Sequence, residues 1–176
     1  MRIWTIGHST RSIDTFISLL KANGIKSLAD VRLLPGSKRY PQFNKETLED
    51  SLGKVGICYE HFPELGGRRK PREDSPNTAW RNESFRGYAD YMETDEFHKG
   101  IKRLLDLAAG AGPTAIMCAE AVWWRCHRSL ISDYLKARRI EVMHILDANK
   151  TLPHPYTSAA RMVNGQLSYA AENTLL

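Results

Sequence analysis

The chain has 176 residues, of which 42% are hydrophobic and 26% charged, so it is long enough for one ordinary globular domain and short for two. Its beginning, MRIWTIGHSTRS, has no apolar run of signal-peptide length, and no segment reaches the length of a membrane span. Three cysteines without a secretory signal predict reduced thiols in a cytoplasmic protein. The formal net charge of +5 favours an anionic partner.

Strands and helices are predicted to alternate along the chain. The apolar run over residues 2–6 predicts a strand, and helical spacing of apolar residues from the cap Ser12 to Gly24 predicts a helix. A strand over 26–32, a helix over 44–56 and a strand over 57–62 follow. The helical stretch 85–110 is divided near Thr94, which has the pattern of a new helix start. A strand over 114–119, a helix over 126–139 and a strand over 141–147 complete the series, and Asn164-Gly165 then predicts a hairpin.

These strands are apolar on both sides, which is typical of a parallel sheet covered by helices. We expect one three-layer α/β domain over residues 1–176, with a Rossmann-like, mostly parallel sheet of about five strands. A C-terminal extension over residues 150–176 contains the hairpin. Residues 63–84 lack periodicity and are rich in proline and glycine. They predict a long loop, for which a lid over a binding site and a plain surface loop remain open alternatives.

The predicted sheet brings distant polar residues to one edge, because ligands of open parallel sheets bind beyond the carboxyl ends of the strands. The polar residues at or after the ends of the strands, or at the start of the helix that follows the fourth strand, are His8, Ser9, Thr10, Asp30, Arg32, Cys118, Glu120, Cys126, His127, Arg128 and Asp147. Two of these segments, GHSTRS and CHRS, begin helices, where backbone N–H groups and the helix dipole favour an anion. The sequence therefore predicts an anion-binding site formed by Ser9, Thr10, Arg32 and Arg128.

Several motifs in this order resemble a known family. They are TIGHST, LADVR followed by PGS, YEHFPELGG, FRGYADYM, CAE with CHRS, and RMVNGQLSY. Together they resemble the family named domain of unknown function 488 over nearly the whole chain. The resemblance implies a compact cytosolic α/β domain of bacteria and archaea, without an agreed reaction. The positions that match the family's motif residues are His8, Ser9, Asp30, Arg32, Cys118, Glu120, Cys126, His127 and Arg128.

Two residues of the CAE motif are candidates for chemistry. Cys118 ends a strand near helix N-termini and arginines, which favours a reactive thiolate, whereas a buried packing cysteine is the alternative. Glu120 is the first candidate for a general base or nucleophile, because a carboxylate at the end of an apolar strand is costly unless it is paired or used. The alternative for Glu120 is a structural ion pair with Arg32 or Arg128.

The remaining candidates have supporting functions. His8 and His127 are candidate acid–base groups, or else helix caps. Asp30 is expected to orient Arg32 through an ion pair, and Cys126 is placed with it as a supporting residue. A zinc site made of cysteines 118 and 126 with the two histidines has suitable ligand types but not the spacing, so we predict no metal and no cofactor.

Other side chains are interpreted as structural. Cys58, His61 and His144 lie inside predicted strands and are assigned to the core. Aromatic residues near the basic segment GGRRKPR could stack nucleic-acid bases, but packing of the loop onto the sheet is favoured because the chain has no nucleic-acid-binding signature. These aromatic residues are Tyr40, Trp80, Trp123 and Trp124.

The leading hypothesis from the sequence is a small cytoplasmic enzyme, a hydrolase or group transferase, that acts on an anionic, nucleotide-like or phosphate-bearing ligand. One alternative is a non-catalytic module that binds nucleotides or nucleic acid. The other is a cysteine-thiol enzyme of rhodanese-like or redox type. The expected partner is an anionic small molecule or a nucleotide, with nucleic acid as an alternative and no membrane. The sequence leaves the oligomeric state open.

Overall fold

The structure is a computed structural model that describes residues 1–172, so the last four residues of the predicted C-terminal extension lie outside the described residues. Its strands are β1 (Arg2–Gly7), β2 (Ser27–Asp30), β3 (Cys58–His61), β4 (Thr114–Cys118), β5 (Glu141–Asp147), β6 (Lys150–Pro153), β7 (Arg161–Val163) and β8 (Gln166–Ser168). Its α-helices are α1 (Ile13–Ala22), α2 (Lys45–Gly53), α3 (Glu83–Tyr91), α4 (Asp95–Ala111) and α5 (Arg128–Ala137).

Six strands form the central sheet in the order β3-β2-β4-β1-β5-β6. The first five strands of this order are parallel to their neighbours, and β6 joins the edge antiparallel to β5. Strands β7 and β8 form a separate two-stranded hairpin, whose turn residues Asn164 and Gly165 have φ values of 52° and 76°. The prediction of a mixed α/β fold with a mostly parallel sheet and a C-terminal hairpin is therefore confirmed.

Helices cover the sheet on both faces, which produces the three predicted layers. One apolar core joins Leu28 and Met117 of the sheet to Phe16 of α1 and Leu48 of α2. The opposite core joins the sheet to α3, α4 and α5, through residues that include Ile3, Ile116, Tyr88, Phe97 and Leu130. Side chains alternate between the faces along each strand, so Thr5 and Cys118 point towards the α5 side.

Local sequence signals place several element boundaries correctly. Ser12 begins α1 by accepting a hydrogen bond from the backbone N–H of Thr15. Thr94 caps α4 by accepting from Phe97, so the predicted division of the long helical stretch is confirmed. The short strand β6 was not predicted, since Pro153 weakened the strand signal. Proline is tolerated there because β6 lies at the edge of the sheet.

The connection between β3 and α3 is tied to α3 by one carboxylate. Asp90 accepts hydrogen bonds from the Arg72 backbone N–H at 2.8 Å, from Ser75 Oγ at 2.6 Å and from Asn77 Nδ2 at 2.6 Å. Tyr88 also donates from its hydroxyl to the carbonyl of Leu65. These bonds hold the start of the connection beside the carboxyl edge of the sheet. Within residues 1–172, none of the helices combines the length and apolarity needed to cross a membrane.

Candidate functional site

A cleft of about 680 Å³ lies at the carboxyl edge of the parallel strands. The predicted site residues that line it are His8, Ser9, Thr10, Arg32, Cys118, Glu120, Cys126 and His127. Asp30 and Arg128 lie behind this lining, and Asp147 is not part of it. The strand order therefore brings together segments more than eighty residues apart in the chain, although the roles of these residues remain predictions.

The floor of the cleft is formed where the chain leaves β1 and β4. The backbone N–H groups of His8 and Ser9 donate to the carbonyls of Cys118 and Ala119, so two N–H groups of the GHS segment are already bonded. Gly7 lies against the carbonyl group of Glu120, and a Cβ atom at Gly7 would overlap that carbonyl. Only glycine allows the two strand ends to approach this closely.

Two residues in the cleft lining have strained backbones. Ser9 has a φ of 52° and Arg68 a φ of 61°, in the left-handed region that side chains other than glycine rarely adopt. Ser9 lies in the turn after β1 and Arg68 in the connection after β3, and both line the cleft. Such strain is often found at binding and catalytic sites, where the surrounding structure holds it in place.

Arg32 is held in one orientation by Asp30. Its Nε and Nη2 atoms donate to the two oxygens of the buried Asp30 carboxylate, at 2.9 and 2.7 Å. Nη2 also donates to the carbonyl of Phe43. Burial lowers the pKa of Arg32, but the pairing with Asp30 outweighs it, so the pKa is raised and Arg32 stays cationic. The ion pair expected from the sequence is present, and Nη1 is the end of the guanidinium that turns towards His8.

His8 is neutral at physiological pH. Burial lowers the pKa of His8 to about 4, and the charge of Arg32 contributes in the same direction. Its Nδ1 donates to the carbonyl of Ser9 at 2.8 Å, so Nε2 presents its lone pair to Arg32 Nη1 at 3.4 Å. The ring stacks on Phe43 with a centroid separation of 4.3 Å. His8 can therefore accept a hydrogen bond or a proton, but it holds no proton to give near pH 7.

Arg128 is buried beneath the cleft, with 1% of its surface exposed. Its side chain donates from Nε to Cys118 Sγ at 2.9 Å, from Nη1 to Thr5 Oγ1 at 3.1 Å and from Nη2 to the carbonyl of Glu120 at 2.6 Å. None of the ion pairs formed within residues 1–172 includes Arg128. A buried guanidinium cannot lose its charge and needs a compensating anion, and the nearest group able to supply one is sulfur.

Cys118 and Cys126 are both free, nearly buried thiols beside Arg128. The backbone N–H of Arg128, in the first turn of α5, donates to Cys126 Sγ at 3.3 Å. Burial opposes ionisation of Cys126, but interaction with the Cys118 thiol and the charge of Arg128 outweigh it and lower the pKa of Cys126 to about 7. Burial and Cys126 itself raise the pKa of Cys118. The pair therefore loses one proton near neutral pH and keeps the second.

This arrangement makes Cys126 a candidate nucleophile beside Cys118. The sequence placed Cys118 first and Cys126 in support, whereas the backbone N–H at the start of α5 and the lowered pKa of Cys126 favour a thiolate there. The start of α5, which was expected to hold an external anion, directs its Arg128 N–H group to the Cys126 sulfur. A cysteine at a helix N-terminus beside an arginine is a typical acidic, reactive thiol.

His127 lies next to Cys126 as a neutral imidazole. Its Nε2 donates to the carbonyl of Val31 at 2.8 Å, which leaves Nδ1 as an acceptor, 3.7 Å from Cys126 Sγ. Burial lowers the pKa of His127. Gly67 packs against the ring so closely that a Cβ atom there would lie 2.9 Å from Nδ1. The imidazole is thus fixed where it can take a proton from the Cys126 thiol.

Glu120 differs from its expected environment. The residue is exposed, and neither Arg32 nor Arg128 forms an ion pair with its carboxylate. Only its backbone carbonyl takes part in the hydrogen bonds described here, as an acceptor from Arg128 and from the Cys118 thiol. The desolvation argument that placed Glu120 first therefore does not apply to a side chain that faces solvent at the rim of the cleft.

Several residues of the site were missed in the sequence. Arg68 and Arg125 line the cleft, so its charged lining comprises three arginines and one glutamate. Tyr40, Phe85 and Leu34 add apolar surface to the same cleft. Thr5, which the sequence did not single out, accepts a hydrogen bond from Arg128. His144, which the sequence assigned to the core, is hydrogen-bonded to Thr5. The position of a residue in a strand does not show which polar side chain it contacts, so the sequence could not identify these partners.

The donor set does not favour a metal centre. Among residues 1–172, no three side chains of His, Cys, Asp or Glu are arranged to hold a metal ion. Cys118 and Cys126 instead share Arg128 as their charged neighbour.

Comparison with known proteins identifies the family. Searches of curated proteins and of solved structures give no match. A family model described as domain of unknown function DUF488 matches residues 12–135. The matched range includes α1 through most of α5. It also includes all the cleft-lining segments except the residues directly after β1. The match confirms the resemblance seen in the motifs, and the chain belongs to the DUF488 family.

Proposed function

We propose that the chain is a thiol-dependent hydrolase or group transferase that binds an anionic, phosphate-bearing ligand in the cleft. The observation that carries this proposal is the buried Arg128 guanidinium, which contacts the sulfur of Cys118, close to Cys126, and forms no ion pair with a carboxylate among residues 1–172. A thiolate at Cys126 compensates that charge and is at the same time a strong nucleophile at neutral pH. His127 Nδ1 lies where it can accept the thiol proton.

The charge of the cleft supports an anionic ligand. Arg32, Arg68 and Arg125 line it, against Glu120 as the one acidic lining residue. Arg32 keeps Nη1 towards the cleft after Asp30 and Phe43 have taken its other donors. Planar guanidinium groups suit phosphate and carboxylate oxygens. Tyr40 and Phe85 in the same lining provide apolar surface that suits the base of a nucleotide.

The proposed reaction has two steps. The Cys126 thiolate forms a bond to the electrophilic atom of the ligand while the bond to the leaving group breaks, and the leaving group takes a proton from solvent. Water, or a second acceptor, then attacks the same atom of the covalent intermediate; the bond to sulfur breaks, its electron pair returns to Cys126 as the thiolate, and the attacking group gives its proton to solvent. Arg128 stabilises the thiolate before and after the cycle.

Ligand binding is the first test. Inorganic pyrophosphate, AMP and ATP should bind in calorimetry at low ionic strength, and adenosine should bind more weakly. The double variant Arg68→Ala/Arg125→Ala should weaken binding by about 10-fold or more, because charged hydrogen bonds contribute about 1.5–3 kcal/mol each. A matched double variant outside the cleft, Lys21→Ala/Arg138→Ala, removes the same charge and should bind normally. Equal loss in both variants would reject the cleft as the binding site.

Turnover is the second test. Nucleoside triphosphates and 4-nitrophenyl phosphate would be incubated with the protein, and released phosphate or nucleoside monophosphate measured. Cys126→Ser should abolish turnover, while Cys58→Ser, at an exposed cysteine outside the cleft, should retain it. Turnover that survives Cys126→Ser contradicts the thiol mechanism. Binding without any turnover would contradict catalysis and fit a non-catalytic nucleotide or nucleic-acid binding module instead.

A further inference from the structure

A continuous chain of buried hydrogen bonds leads from Arg128 away from the cleft. Arg128 Nη1 lies 3.1 Å from Thr5 Oγ1, which lies 2.6 Å from His144 Nδ1. His144 Nε2 lies 2.8 Å from His154 Nδ1, and His154 Nε2 lies 2.8 Å from Asp133 Oδ1. The exposed fraction of each residue in this relay is at most 3%. The relay begins and ends on α5, but passes through β1, β5 and the segment after β6.

The Asp133 carboxylate orients the hydrogen bonds of the relay. It only accepts, and it also receives the Thr157 backbone N–H, the Thr157 hydroxyl and the Tyr169 hydroxyl. His154 donates to it from Nε2, which lets Nδ1 accept from His144. His144 in turn accepts at Nδ1 from the Thr5 hydroxyl, whose oxygen is left to accept from Arg128.

The relay joins a cation at one end to an anion at the other through two imidazoles. Burial lowers the pKa of His144 to about 2, and the charge of Arg128 acts in the same direction, so His144 stays neutral. Its ring stacks on Trp123 with a centroid separation of 4.5 Å and an interplanar angle of 2°. Thr5 and His144 are also directly opposite each other in the parallel pairing of β1 and β5. Packing and register thus hold the middle of the relay in one arrangement.

We propose that Thr5, His144, His154 and Asp133 are positioning residues that hold the Arg128 guanidinium on the sulfur of Cys118. The inference rests on the proposed function, because it assigns these residues to the ionisation of the thiol pair. Each of the three donors that Arg128 uses has one acceptor, so loss of the Thr5 acceptor frees the guanidinium to turn away from sulfur. The site then extends to the C-terminal segment, beyond the residues that the family match covers.

Other groups that face the thiol pair lie outside the relay. Titratable or charged side chains outside the relay that act on the two cysteines or on Arg128 are Arg11, Tyr88 and His127. Arg11 is anchored separately, on the carbonyls of Gly7 and Leu146. A change confined to the Thr5 hydroxyl therefore reports on Arg128 rather than on these neighbours.

The test compares variants that keep or remove the Thr5 hydroxyl. Thiolate formation is followed by ultraviolet absorbance against pH in a Cys58→Ser background, so that only the thiol pair is observed. Thr5→Ser should titrate like the parent, near pH 7. Thr5→Val should raise the midpoint by about one pH unit, which corresponds to one lost charged hydrogen bond of about 1.5 kcal/mol.

A matched control separates positioning from general stability. Thr114→Val also removes a buried strand hydroxyl, which is bonded to Ser27 Oγ at 2.6 Å and has no contact with the relay. It should destabilise the protein without moving the thiol midpoint. If Thr5→Val does not fold, His144→Phe, which has no acceptor for the Thr5 hydroxyl, should raise the midpoint in the same direction.

The outcomes distinguish the two proposals. An unchanged midpoint in Thr5→Val, or an equal rise in Thr114→Val, overturns the positioning inference and leaves the thiolate intact. A parent protein whose thiols ionise only at the pH of ordinary free cysteine overturns the proposed function itself.

Discussion

Replacing Arg128 with methionine would remove the charge beneath the thiol pair while filling much of the same volume. The variant deletes the donors to Cys118 Sγ, Thr5 Oγ1 and the Glu120 carbonyl together. Burial, which favours the neutral thiol, then acts on Cys126 against only the Cys118 thiol and the backbone N–H of residue 128. The pKa of Cys126 should therefore rise from about 7 towards the ordinary free-thiol value of about 8.5.

The size of the effect follows from the two pKa values. At pH 7.5, a thiol with a pKa of about 7 is roughly three-quarters ionised, and one with a pKa of about 8.5 is about one-tenth ionised. Arg128→Met should thus reduce the thiolate population by up to about eightfold, with a proportionate fall in alkylation rate and in any Cys126-dependent turnover. The cost in stability should be smaller than for an ordinary broken ion pair, because the thiol can take up a proton and leaves no buried charge.

The assay is the same ultraviolet titration in the Cys58→Ser background, with circular dichroism to confirm folding. Arg138→Met on the end of α5 is the matched control, because Arg138 is exposed and its guanidinium stacks on Tyr134. An Arg128→Met protein that still ionises a cleft thiol near pH 7 would refute the reasoning, since the acidity would then not come from the guanidinium.

Two further predictions concern the stability of the cleft. Gly7→Ala should lower the free energy of unfolding measured in urea by about 3 kcal/mol or more, because its Cβ would overlap the backbone carbonyl of Glu120. Gly53→Ala, with open space around it, should cost nothing. Similar values for both variants would contradict the close approach at Gly7. The free energy of unfolding should also fall as the pH drops from about 6.5 towards 4. In this range His8 takes up a proton in the unfolded chain but not in the native protein, where its pKa is about 4. His8→Asn should flatten that slope in acid titrations followed by urea denaturation, and an unaltered slope would assign the acid sensitivity to other groups.

The sequence was informative where a local pattern determines the outcome. Apolar runs and caps such as Ser12 and Thr94 predicted the parallel sheet and the helix starts, because these signals act within a few residues. The rule that parallel strands end at one edge then gathered the GHS, DVR and CAE segments around one cleft. That rule locates loops, but it does not say which side chains face the cleft and which pass beneath it.

The direction of side chains explains what the sequence could not reveal. Arg128 was expected to bind an external anion, yet it turns inward to the sulfurs because it lies on the face of α5 that packs on the sheet. His144 was assigned to the core and is buried, but its hydrogen bond to His154 was not foreseen. His154 comes after the edge strand β6, which was not predicted. The relative acidity of the two cysteines also depends on burial and on donors from other elements, which spacing alone does not encode.

The stack of Trp123 on His144 gives the protein an internal optical probe. Trp123 lies parallel to His144 and edge-on to His154, with centroid separations of 4.5 and 5.0 Å. With the other three tryptophans changed to phenylalanine, the emission of Trp123 would report whether this packing around the histidine pair persists in solution, without any added label.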